Sequence, residues 1–169
     1  MEILFQNTYV ANKELYKEIY WYAYFQRKFF VFSYFVLAFY FVFNLACALF
    51  GQRYSLAVLI LIPLLFGLRF LGYFSQVHTT VKRNKEVCDE DMRIETVVTD
   101  SYIQQTASNG AVNQIEFDRI RYAVQTKNLI LLRSKANLMY VFDKRTFTVG
   151  GKEAFVSFLM TKGVKVHGK

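Results

Sequence analysis

Two long apolar runs dominate the pattern of the chain. The first is Phe29 to Gly51; the second is Tyr54 to Phe74, in which Arg69 is the one charge. Only Gln52 and Arg53 separate them. As a helix, at about 1.5 Å per residue, each run reaches about 30 Å, the thickness of a bilayer core. The pattern predicts a two-helix transmembrane hairpin with spans at about 29–51 and 54–74. Upstream, Leu15, Ile19 and Tyr22 recur at helical spacing after Asn12, a good N-cap. That predicts an interfacial helix from Lys13 that runs into the first span without a break.

Beyond Val87 the period falls from 3.6 to 2. Ile94, Thr96 and Val98 alternate with Glu95, Val97 and Thr99. Further strands are predicted at 102–106, 111–117, 120–125, 129–133 and 138–142, separated by polar turns. Asn109-Gly110 predicts a hairpin with a primed turn. Phe155, Phe158 and Leu159 then mark one face of a helix over about 152–162, stopped at Lys162-Gly163. At the other end of the chain, Glu2 to Gln6 is strand-like and predicts an edge strand in which Ile3 and Phe5 are covered.

The fold class is therefore an α+β membrane protein: a hairpin plus an antiparallel β-sheet or partial barrel, capped by a C-terminal helix. Three segments follow. Residues 1–10 hold a strand joining the soluble sheet, 11–75 the interfacial helix and hairpin, and 76–169 a cytoplasmic domain.

Charge adds orientation. The net +8 is spread thinly, with fifteen Lys/Arg against ten Asp/Glu after residue 75. A nucleic-acid surface calls for a concentrated basic stripe, which is missing. Lys13, Lys17, Arg27 and Lys28 precede the first span, and Arg69, Lys82, Arg83 and Lys85 surround the end of the second. The turn has Arg53 alone. Positive residues stay inside, so both termini are expected in the cytoplasm of a multi-pass protein of a bacterial cell membrane. Tyr20, Trp21 and Tyr24, with Arg27, Lys28 and Arg69, are the expected interface anchors, Arg69 by snorkelling to the head groups. Asn44, the strongly polar side chain of the first run, is expected to bond within its own hairpin or to reach the outer interface. The run is too long, and begins too far along the chain, for a cleaved signal peptide. Cys47 and Cys88 lie in different segments and predict no disulfide.

The residues carry a resemblance. Ile115-Glu116-Phe117-Asp118-Arg119-Ile120, Thr126 to Leu132, Asp143-Lys144-Arg145-Thr146-Phe147-Thr148 and the Phe155/Phe158-Leu159/Lys162-Gly163 set resemble the YcxB-like family of bacterial membrane proteins. Phe117 stands where members often have Trp, and Asp143 where many have Pro. The resemblance implies a soluble domain like a bacterial pleckstrin-homology domain, and it implies no activity or site residues.

Candidate chemistry is sparse. Gly150-Gly151-Lys152 lacks the upstream glycine and the following Ser/Thr of a phosphate loop. His78 and His167 have no ligand-spaced neighbours, and Asp89-Glu90-Asp91 reads as a solvated turn. No catalytic, metal or cofactor residues are predicted, and no cofactor. The expected function is a non-enzymatic binding or regulatory module at the membrane. The alternatives are an immunity protein against a membrane-active peptide and a subunit of a transport complex. Expected partners are the bilayer, anionic lipid head groups or a membrane protein, with homo-oligomerisation open and no nucleic acid. Arg119, Arg121, Lys144 and Arg145 are the candidate anion or partner contacts, because Arg and Lys in loops and at strand ends can hold phosphate.

Overall fold

The structure is a computed structural model and describes residues 2–26, 28–87 and 92–168. It falls into two compact units, Lys13–Lys82 and the pair Met1–Asn12 with Arg83–Lys169.

The helical unit contains α1 (Lys13–Trp21), a π-helical turn (Tyr22–Gln26), α2 (Lys28–Leu49) and α3, which starts at Leu56 and continues to Val87. Helical backbone continues from α1 through the π-helical turn to Gln26 and resumes at Lys28. Two of the helices, over Val31–Leu49 and Leu56–Val87, are long and apolar enough to cross a membrane. Pro63 sits inside α3 without ending it.

The helix α3 outruns the apolar segment by more than ten residues, so the helical unit extends past residue 75, where the composition changes. The reason is a partner. Tyr73 and Val77 are buried, as are Leu15 and Ile19 of α1. The Tyr20 and Thr80 hydroxyls are 2.8 Å apart, and Trp21 meets Tyr73 edge-on at 5.9 Å. At the hairpin turn, the Asn44 amide donates to the Tyr40 carbonyl (3.0 Å) and accepts the Ser55 N–H (3.1 Å). The one strongly polar side chain of the first span therefore bonds within its own hairpin and satisfies a donor at the start of α3.

Among the described residues the β unit holds nine strands: β1 (Phe5–Val10), β2 (Arg93–Val98), β3 (Tyr102–Ala107), β4 (Val112–Glu116), β5 (Ile120–Gln125), β6 (Leu129–Ser134), β7 (Met139–Asp143), β8 (Phe147–Val149) and β9 (Val166–His167). Helix α4 (Lys152–Thr161) precedes β9. The strands form two sheets where one was expected: β4-β3-β2-β1-β8, and β7-β6-β5-β9, in which β9 runs parallel to β5. Strand β1 is internal, between β2 and β8, and so is no edge strand. Phe5 is buried, but Ile3 is 46% exposed.

The register explains both the core and the split. Phe5, Val98, Ile103 and Ile115 are successive cross-strand partners or near-partners, and all are buried with Phe142, Phe155 and Leu159. The next row on the same face is Asn7, Thr96 and Gln105, which is polar yet buried. The Asn7 amide donates to the Asp143 carbonyl (2.7 Å) and accepts its N–H (3.2 Å). The Gln105 amide donates to the Val141 carbonyl (3.1 Å). Both partners lie on β7, the edge of the second sheet. Amide side chains thus satisfy an edge that another strand would otherwise have to cover.

Two turns have a stated geometry. The Ala107–Ala111 connection has Gly110 at φ +84, whereas Asn109 is not at positive φ; the Gly110 N–H bonds the Ala107 carbonyl (2.9 Å). This is a three-residue loop ending in a left-handed residue, not the expected primed turn. Helix α4 ends with Val164 N–H on the Leu159 carbonyl (3.0 Å) and Gly163 N–H on the Met160 carbonyl (3.0 Å), the paired bonds of a Schellman stop.

Candidate functional site

Several cations of the β unit are engaged. Arg145 grips Asp143 through Nε (2.9 Å) and Nη2 (2.7 Å), and its backbone N–H bonds the same carboxylate (2.9 Å). Burial pushes the Asp143 carboxyl up, but these bonds and the Arg145 charge outweigh it and hold the group below the usual carboxylate range. Arg119 lies 3.6 Å from Glu116, both well exposed. Lys162 bonds Asp100 at 2.6 Å and lies over the Phe158 ring at 5.3 Å.

Lys144 is placed differently. Its N–H donates to the Asn128 carbonyl (2.8 Å) and its ammonium to the Thr126 carbonyl (2.6 Å). That ties it to the turn between β5 and β6, which Thr126 tightens by accepting the Leu129 N–H (3.1 Å) on its hydroxyl. Lys144 lines a hollow of about 470 Å³ together with Lys127, Lys152, Glu153, Gln125 and Ser157. Lys127 projects from the turn, and Lys152 is the first residue of α4. The N-cap of that helix, Gly151, offers no side-chain bond to it. Three lysines from three chain segments thus line one hollow with a single carboxylate, Glu153, which is 3.4 Å from Lys152.

The four predicted contacts are therefore not one site. Arg119 and Arg121 stand at the start of β5 and Lys144 beyond its end, so a six-residue strand, about 20 Å, separates them. Arg145 lines a second hollow of about 550 Å³ with Arg93, Thr8 and Asn12, where its charge is matched by Asp143. Lys127 and Lys152 were missed because a turn lysine and a helix-start lysine are ordinary solvated residues until the fold brings them to one place.

In the helical unit, Arg69 turns inward. Its guanidinium donates to the Tyr24 carbonyl from Nη2 (3.0 Å) and Nε (3.3 Å), and lies 5.3 Å from the Tyr24 ring centre. The Tyr34 hydroxyl donates to the same carbonyl (3.1 Å). This node at the π-helical turn lies beside a hollow of about 480 Å³ lined by Leu37, Leu65 and Phe66. Of the other expected anchors, Tyr20 and Trp21 pack on α3 as above, and Lys28 opens α2. Arg27 lies outside the described residues, as do Cys88 and Asp89-Glu90-Asp91. Among the described residues no cluster of three metal-ligating side chains occurs.

Comparison with known proteins finds no matching family model, no matching curated protein and no matching solved structure.

Proposed function

We propose that this chain is a two-span membrane protein that holds a non-enzymatic binding module at the cytoplasmic face of a bacterial membrane. One observation carries the reading. The long helices leave their large apolar side chains uncovered: Phe35 is 73% exposed, Phe39 74% and Leu71 66%. A patch of this kind is unstable in water and is covered by lipid tails. The scarcity of Lys and Arg in the turn, against their abundance on both flanks, supports cytoplasmic termini. The meander closed by a C-terminal helix, together with the resemblance to the YcxB-like family, supports a pleckstrin-homology-like module. Binding, rather than catalysis, fits a domain whose conspicuous feature is a lysine-lined hollow.

The test uses a cysteine-free background (Cys47→Ser, Cys88→Ser). The chain should stay in the membrane pellet after alkaline carbonate. An impermeant maleimide should label Gln52→Cys on intact cells and Asn109→Cys only after permeabilisation. Release into the supernatant would overturn the spans, and outside labelling of Asn109→Cys would overturn the orientation.

A further inference from the structure

The hollow around Lys127, Lys144 and Lys152 brings three lysines from three chain segments to one concavity. Three cations elsewhere each meet a carboxylate: Arg145 meets Asp143, Arg119 meets Glu116 and Lys162 meets Asp100. Here the lining holds three lysines and one carboxylate, Glu153. Like charges around one hollow repel, and each is stabilised when an anion enters. Their carriers are held firmly. Lys127 rides a two-residue turn, Lys144 is tied to that turn at both ends, and Lys152 begins a ten-residue helix whose positive dipole end adds to the field.

We infer that this hollow binds a phosphate monoester. Lysine ammonium groups are compact, hydrated point charges with rotatable donors, suited to a tetrahedral dianion. A planar carboxylate is better met by the fork of an arginine. The volume, about 470 Å³, lies in the range of small-ligand sites and leaves room for a small polyol beside the phosphate. Gln125 and Ser157 supply polar contacts for its hydroxyls. The same chemistry is offered by a soluble phosphate ester and by a phosphorylated lipid head group. The lipid source rests on the membrane reading above; the soluble source does not.

The experiment uses the full chain in phosphatidylcholine nanodiscs, with lysine acetylation read by mass spectrometry. Glycerol 3-phosphate is titrated in one arm. In the other, phosphatidic acid replaces part of the lipid. Protection of Lys127 and Lys152, with Lys135 and Lys165 unchanged, is the expected result. Protection by glycerol 3-phosphate identifies a soluble source, and protection by phosphatidic acid alone a lipid source. Glycerol should protect nothing, and protection should weaken below about pH 6, where the ester loses its second charge. Lys127→Gln with Lys152→Gln should weaken glycerol 3-phosphate or phosphatidic acid binding about tenfold or more. Arg119→Gln with Lys135→Gln, at the other end of β5, should leave binding within about twofold. No protection in either arm would overturn the proposal. So would equal protection of all exposed lysines, or equal loss in both double variants, each of which marks diffuse charge. Carbonate extraction separates these failures from failure of the membrane reading.

Discussion

Asn7 and Asp143 show how much a single side chain decides here. Asn7 is fully buried, and its amide makes the two-way backbone bonding that a neighbouring strand would otherwise make to Asp143. Asn7→Ala leaves the backbone N–H and carbonyl of Asp143 without these partners, and should lower stability by roughly 2–4 kcal/mol. Thermal unfolding of the full chain in a mild detergent measures it; an unchanged midpoint would mean water replaces the amide. Asp143 carries a pH signature. Its folded pKa is lowered, so its stabilisation is present above the ordinary carboxylate value, about 3.9, and is lost as pH falls through the lower folded value. Arg145→Met removes the guanidinium bonds and charge but keeps the backbone N–H bond, so the Asp143 pKa rises relative to the parent. The variant should be less stable than the parent by about 1–3 kcal/mol at pH 7, and the gap should close toward pH 3. A gap that stays constant with pH would show that Arg145 acts by packing alone.

At the scale of elements, two glycines at positive φ separate conformational strain from collision. At Gly110 (φ +84) an added Cβ meets nothing within 4 Å. At Gly150 (φ +70) it runs into the Phe5 ring. Gly110→Ala should cost about 1 kcal/mol, the backbone term alone. Gly150→Ala should cost roughly 2–4 kcal/mol, because β8 must also move away from β1. The ranking of the two melting points is the check; the reverse order would mean that Phe5 rotates freely out of the way. In the helical unit, Asn44→Ala removes the acceptor for Ser55 N–H, which should loosen the hairpin turn by about 1 kcal/mol. Faster amide exchange at Ser55 and Leu56 would show it. Strand β1 was visible as strand-like composition at the N-terminus. Its pairing with β2 and β8 was not, because they lie more than eighty residues downstream and no local pattern names a distant partner.

For the whole molecule, the uncovered apolar side chains of α2 are the decisive surface. Phe39 lies mid-helix and is 74% exposed. Phe39→Arg should shift insertion of the first span by about 3 kcal/mol, read as the fraction inserted in a glycosylation-mapping assay. Full insertion of the variant would count against contact with lipid at that position.

Sequence by itself determined most of the elements, though not β8, β9, the π-helical turn or the far end of α3. Two apolar runs produced two long helices, alternation from Ile94 onward produced β2 to β7, and Lys162-Gly163 stopped α4. These are local signals, set by which side chains tolerate water and which backbone angles a residue accepts. Tertiary structure alone decided the rest. Alternation records that one face of a strand is covered, and a polar residue on that face reads as solvent-exposed. Asn7, Thr96 and Gln105 look like surface residues until the edge of β7 lies against them. The split into two sheets follows from the same contact. Likewise Lys127, Lys144 and Lys152 are three unremarkable lysines along the chain, and their convergence exists only once the β5–β6 turn, the end of β7 and the start of α4 meet. Charge density at a point in space is a property of folded distance, which sequence separation does not encode.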